Sequence, residues 1–182
     1  MKQISIFLAD GFEEIEGLTV VDLLRRAGVD VKTVSVTGSL SIHGAHDITV
    51  KADVLFEEQD FSDMDMLVLP GGMPGTTHLQ EHQGLKKLLE EQYAKEKYIA
   101  AICAAPGILG SLGFLEGRTA CSYPTVEAKL SGANVVQDPV AVDGHIITSR
   151  GVGTAIPFSL ELISKLCGSE KSEEIGKSIV FM

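Results

Sequence analysis

Four short segments contain the residue types whose chemistry stands out: Asp10-Gly11-Phe12-Glu13-Glu14-Ile15-Glu16, Pro70-Gly71-Gly72-Met73-Pro74-Gly75, Ala101-Ile102-Cys103-Ala104-Ala105-Pro106-Gly107 and Thr148-Ser149-Arg150-Gly151-Val152-Gly153-Thr154. Cys103 leads the list. It lies between an apolar run and a small-residue helix, at a sharp elbow where a helix N-terminus would lower the thiol pKa and favour a nucleophilic thiolate. A free cysteine there can equally be a small buried hydrophobe. Glu13, Glu14 and Glu16 open a helix, where the dipole favours negative charge. Glu16 precedes Gly17, a residue small enough to admit another loop, so Glu16 is a candidate for burial. A buried carboxyl keeps its proton and can hydrogen-bond to a thiolate. The amides of Gly71, Gly72 and Ala104 are candidates for an oxyanion hole, although a Gly-Gly pair by itself is only a turn. Arg150 suits either an anionic ligand or a structural ion pair.

Other chemistries find less support. His43 and His46 fall in one hairpin, His78 and His82 are bracketed by Gly75 and Gly84, and His145 follows Asp143-Gly144, so no metal set assembles. Neither a phosphate-loop nor a G-x-G-x-x-G pattern occurs. The three cysteines are widely spaced and odd in number. With no C-x-x-C, they argue against disulfides and zinc and for a reduced, cytoplasmic setting, with Cys121 and Cys167 structural.

These segments must be positioned by apolar strands. Ile4 to Ala9, Val29 to Val36, Met66 to Leu69 and Ile99 to Ile102 read as strands. Helical spacing runs from Ile15 to Ala27, through Leu85, Leu88, Leu89 and Tyr93, and through Ile156, Leu160, Ile163 and Leu166. Thr37 to Phe56 reads as a short hairpin. So does Val140 to Thr148, with Asp143-Gly144 as its tight turn. Uniformly apolar strands between amphipathic helices predict one α/β domain over 1–182, doubly wound, with helices on both faces of a mostly parallel sheet and a small β-hairpin. Sites in such sheets form beyond the carboxyl ends of the strands, where all four segments converge. The 182 residues carry a net charge of −10, which opposes binding to a phosphate backbone. The uncharged stretch from Tyr98 to Leu115 contains Pro106, Gly107, Gly110 and Gly113 and reads as a buried strand-turn-helix, not a membrane span. The N-terminal residues lack the pattern of a signal peptide.

Taken together and in this order, D-G-F-E-E-I-E, L-P-G-G, A-A-I-C-A-A-P and T-S-R-G-x-G-T resemble the ThiJ/PfpI family over essentially the whole chain, in the branch of a parkinsonism-associated deglycase. The resemblance implies a flavodoxin-like fold, usually a homodimer with the first helix near the interface. It makes Cys103 the reactive thiol, Glu16 the protonated acid beside it, and Gly71, Gly72 and Ala104 the anion-binding amides. Protease-like members carry His directly after the nucleophile, whereas Ala104 stands here. Tyr123, before Pro124, replaces a His of several deglycase relatives, and His46 occupies the place of a basic hairpin residue. His145 leads into Ile146-Ile147, so the glutaminase H-x-E pair is missing.

The implied activity is a cofactor-independent, glutathione-independent glyoxalase or deglycase acting on small 2-oxoaldehydes or their protein adducts, with His46, Tyr123 and Arg150 contacting substrate. The alternative is a redox sensor whose Cys103 is oxidised to sulfinate, so the expected partner is a small aldehyde or an oxidant. A chaperone-like role has no distinctive residue behind it.

Overall fold

Runs such as Ile4-Ser5-Ile6-Phe7-Leu8 are apolar on both faces of a strand and demand cover on both sides. The computed structural model, which describes residues 1–181, supplies that cover. β1 (Gln3–Leu8) leads into α1 (Glu14–Arg26) and β2 (Asp30–Ser35). A short excursion follows through β3 (Ser41–His43) and β4 (Thr49–Lys51) before β5 (Val54–Leu55). β6 (Met66–Leu69), α2 (Gly75–Glu81), α3 (Gln83–Ala94), β7 (Tyr98–Ile102) and α4 (Pro106–Ser111) form the middle of the chain. β8 (Thr119–Ala120), β9 (Asn134–Val135), β10 (Val140–Asp143), β11 (Ile146–Ser149), α5 (Ala155–Cys167) and α6 (Ser169–Ser178) complete it.

Seven strands form the main sheet in the order β10-β11-β7-β6-β1-β2-β5. All neighbouring pairs are parallel except β10 with β11. Ile4, Ile6 and Leu8 of β1 pack with Val20 and Leu24 of α1 and Phe158 and Leu162 of α5. Phe7 and Ala9 face the opposite layer, with Leu85 and Leu89 of α3 and Leu109 of α4. The period-two alternation of one strand therefore feeds two cores, as a flavodoxin-like doubly wound sheet requires.

The chain order reverses at β1, which has β2 on one side and β6 on the other. Such a switch point opens a crevice at the carboxyl edge. The loops after β11, β7, β6 and β1 are neighbours along that edge, and they are the four segments singled out by chemistry.

Three readings of the sequence change in detail. The hairpin is confined to β3 and β4, while Val54–Leu55 leaves it to pair with β2 in the main sheet. The β10–β11 turn is Gly144-His145, one residue later than expected, because Asp143 still pairs with Ile146. Gly17 does not admit a loop: a Cβ there would lie 2.9 Å from the ring of Phe12, so its smallness seats that ring against α1.

Candidate functional site

Cys103 is the first residue after β7, and its φ of +64° lies in the left-handed region that L-residues with a side chain disfavour by about 1–2 kcal/mol. The elbow is held on both sides. Cys103 N–H donates to Ser149 O at 3.0 Å, and Tyr123 N–H donates to Cys103 O at 2.9 Å. The amides of Ala104 and Gly72 are directed at the sulfur.

Glu16, in the first turn of α1, is fully buried. Its Oε2 accepts from Gly71 N–H at 3.0 Å, while the buried Oε1 has no partner among the described residues. Gly71 makes this approach possible, since a Cβ on it would lie 2.6 Å from both Cys103 Cβ and Glu16 Oε2. Its amide is committed to Glu16. This corrects the expectation that Gly71 serves an oxyanion hole, and leaves Gly72 and Ala104 as the amides facing sulfur.

Burial drives both groups toward their neutral forms. It lifts Glu16 to about 7, against the lowering effects of Cys103 and the Gly71 amide. It pushes Cys103 up to about 12, with the charge of Glu16 adding to the rise and the Ala104 and Gly72 amides opposing it. The expected lowering by a helix N-terminus is thus outweighed, and α4 itself begins only at Pro106. The two values belong to the pair: one proton leaves near 7, and the second is retained because two negative charges would share one buried space.

A cleft of about 520 Å³ opens over this pair, walled by Glu13, Tyr123, Arg150 and the Gly151–Thr154 turn. The Thr154 hydroxyl shapes that turn, sharing a 2.7 Å hydrogen bond with the Ser149 hydroxyl and accepting from Gly151 N–H at 3.0 Å. Arg150 lies 3.9 Å from Glu127 Oε1, and its buried Nε is unpartnered among the described residues. Tyr123 is half exposed and reaches the thiol's surroundings directly.

His46 is placed differently. Its ring is 67% exposed and its Nδ1 sits 3.0 Å from Glu14 and 3.5 Å from Glu13, so it adjoins the cleft only through Glu13. The hydrogen bond to Glu14 raises the His46 pKa first, and the two carboxylate charges raise it further. Burial opposes the Glu14 charge, yet hydrogen bonds from His46 hold that carboxyl below its ordinary value.

His82, His78 and Cys121 have structural partners. His82 caps α3 by accepting from Leu85 N–H at 2.9 Å, so it lies between two helices and not on one shared with His78. His78 Nδ1 bonds Asp10 O at 2.9 Å. Cys121 is buried and donates to Thr148 O, as a structural cysteine would. Cys167, expected to be structural, is exposed at the end of α5.

Residues 2–165 match the model of the DJ-1/PfpI family. The chain belongs to this family. "Protein DJ-1 homolog A" of Arabidopsis thaliana is 38% identical over 98% of the chain, which spans 46% of that relative. "Glutathione-independent glyoxalase DJR-1.2" of Caenorhabditis elegans is 32% identical over 92% of the chain and 89% of the relative. Among solved structures, Toxoplasma gondii DJ-1, described as oxidized, superposes with a TM-score of 0.96 at 32% identity, covering 100% of this chain and 99% of that one.

Glu13 and the Gly151–Thr154 turn line the cleft without having been assigned to it from sequence. Both lie in segments whose convergence the sequence indicates, but neither carries a spacing that singles it out. The raised Glu16 pKa makes its own prediction. A carboxyl lifted from 4.5 to about 7 on folding stabilises the fold below 4.5 and loses that contribution as pH rises through 7. Glu16→Gln is therefore expected to gain on the wild type across that window by on the order of 3 kcal/mol. Urea unfolding of both proteins at each end of the window measures the difference, and parallel pH profiles would contradict a carboxyl held protonated by burial.

Proposed function

We propose that the protein is a cysteine-dependent, glutathione-independent glyoxalase of the DJ-1/PfpI family, acting on 2-oxoaldehydes or their early adducts. The observation that carries this reading is the geometry of the Glu16–Cys103 pair: a fully buried carboxyl lies beside a cysteine at a left-handed elbow, with only Gly71 and no side chain between them. The reactive form of the pair is the one with its charge on sulfur, where the Ala104 and Gly72 amides favour it, and its proton on Glu16. Burial and the Glu16 charge raise the thiol, so this form is the minor one of the pair at neutral pH. The unpartnered Oε1 is the oxygen that a proton would satisfy.

In this arrangement the thiolate adds to the aldehyde carbon, and the carbonyl oxygen takes the proton of Glu16, giving a hemithioacetal and leaving Glu16 as the carboxylate. Glu16 moves the C1 proton to C2, through an enediol, which converts the adduct to a 2-hydroxyacyl thioester. Water then cleaves the thioester, releasing a 2-hydroxy acid and restoring the thiol. A carboxyl poised near neutral pH suits both directions of that transfer. Arg150 is the cation in the cleft for the developing carboxylate. Tyr123 can donate a hydrogen bond to substrate but supplies no imidazole base. The C. elegans relative's name supports the same reaction class.

A second reading, oxidation of Cys103, is favoured by the positions of the other thiols. Cys121 is buried against Thr148. Cys167 is exposed at the end of α5. With Cys121 buried and its Sγ engaged by Thr148 O, a sulfenic acid on Cys103 would proceed to sulfinic acid or await an external thiol.

The α1 face supports a homodimer. Ile15, Leu18 and Ile48 are exposed together around an open groove of about 730 Å³ that continues to Val180. Exposed apolar patches of this kind mark association surfaces. Ile15→Asp with Leu18→Asp is expected to convert a dimer to a monomer in sedimentation velocity. An unaltered sedimentation coefficient would remove this face from the interface.

Two measurements test the chemistry. In Glu16→Gln the rate of Cys103 alkylation by iodoacetamide at about pH 8 is expected to fall at least about tenfold, because the acid that holds the thiolate is gone. Faster alkylation would mean that the Glu16 charge holds the thiol back more than its proton helps it. With methylglyoxal and no glutathione, the wild type is expected to form lactate, and Cys103→Ala and Glu16→Ala to lose at least about a hundredfold in rate. Wild-type turnover that persists in Cys103→Ala, or is absent while peroxide oxidises Cys103, would replace the glyoxalase reading.

A further inference from the structure

Cys103 stands between two cavities. One is the charged cleft shared with Glu13, Glu16 and Arg150. The other, about 330 Å³, lies on the opposite side of the thiol between α2, α4 and the 3-10 turn at Pro124–Lys129. Only Gly72, Cys103 and Tyr123 border both. Glu16 belongs to the first alone, so proton transfer is confined to that side.

The walls of the second cavity have a different character. Ile108 and Val126 are buried, Met73 closes one side, and the Thr77 and Thr125 side chains stand at the margin. No acidic residue lines it among the described residues, and Lys129, exposed at the mouth, is its one cation. Gly107 keeps the wall thin: a Cβ there would stand 3.1 Å from Val126 Cγ1. At about 30 Å³ per water the space would hold roughly ten waters, too large for a methyl group and ample for a ring. Apolar cavities with a few polar groups at the margin select the uncharged body of a ligand.

We propose that this second cavity is the substituent pocket of the site, so that the preferred substrates are 2-oxoaldehydes bearing an uncharged aryl or branched alkyl group in place of methyl. The inference rests on the glyoxalase reading for its chemistry and on the cavity for its specificity. The aldehyde carbon bonds the sulfur, the transferring proton stays beside Glu16, and the remaining substituent extends past Gly72 and Tyr123 toward Ile108 and Val126. The reaction is that already described, with the same bonds made and broken. Removing a well-filled apolar contact costs about 10- to 200-fold in discrimination, which sets the size of the preference.

The test uses Thr77→Phe, at a half-buried helical position on the cavity margin, with Thr125→Phe at the exposed opposite margin as a second variant in case the first perturbs folding. Phenylglyoxal and methylglyoxal are compared by kcat/KM. Cys103 alkylation by 2-bromoacetophenone and by iodoacetamide is compared in parallel. The wild type is expected to prefer phenylglyoxal about tenfold, and each variant to lower the aromatic-to-small ratio about tenfold in both comparisons. If neither aldehyde turns over yet the alkylation ratio falls, the pocket stands and the glyoxalase reading fails. If both aldehydes turn over with a ratio that neither variant changes, the pocket is overturned. An alkylation ratio unchanged in both variants overturns it as well, whether or not the aldehydes turn over.

Discussion

One proton in a space too small and too dry for two negative charges is the constraint on which the site depends. Glu16 is fully buried, a position that an ionised carboxylate tolerates poorly, and Cys103 is held against it by an elbow in left-handed geometry. Neither residue would be placed there for stability alone. The fold accepts the cost by fixing the neighbours: Gly71 has no side chain to separate the two groups, and its amide orients the acid. Ser149 and Tyr123 close the backbone around the cysteine. Strain and burial concentrated at one residue pair are characteristic of a working site.

The sheet supplies this arrangement with few long connections. β11, β7, β6 and β1 lie side by side, so each of four strand ends contributes one part: the arginine in the cleft wall, the thiol, the glycine amides and the acid. Division of labour among adjacent loops lets the thiol border two unlike cavities at once. Glu13, Glu16 and Arg150 line one side, while the other holds no carboxylate and only Lys129 at its mouth.

Much of this was legible because the signals were local. Apolar runs ended at Gly, Pro or Cys, and the helices between them showed clear periodicity, so the strand ends and their convergence could be read. What could not be read depends on distant partners. Asp143 stays in the ladder, shifting the turn to Gly144-His145, because its Oδ2 accepts from Thr119 N–H at 2.8 Å and Arg118 meets its Oδ1. α6 escaped notice since Ser169–Ser178 is polar nearly throughout. Its seat on α5 comes from buried Ile175 and from Ser172, whose hydroxyl reaches Leu160 O at 2.7 Å. His46 carries no mark that it pairs with two glutamates, and no spacing announces that Val126 and Ile108 would share a cavity with Cys103.

The hydrogen bond from Cys103 N–H to Ser149 O has a consequence for biogenesis. Its acceptor lies at the end of β11, far along the chain from the cysteine and farther still from Glu16. While the protein is being synthesised, Cys103 leaves the ribosome well before its partners on β11, and until then it is an ordinary hydrated thiol with an ordinary acidity. The elbow around Cys103 is complete only when β11 docks beside β7, almost the last strand event available to the chain. In a nascent or truncated polypeptide that lacks β11, Cys103 is therefore a thiol without its elbow, and its distinctive environment is a property of the finished sheet.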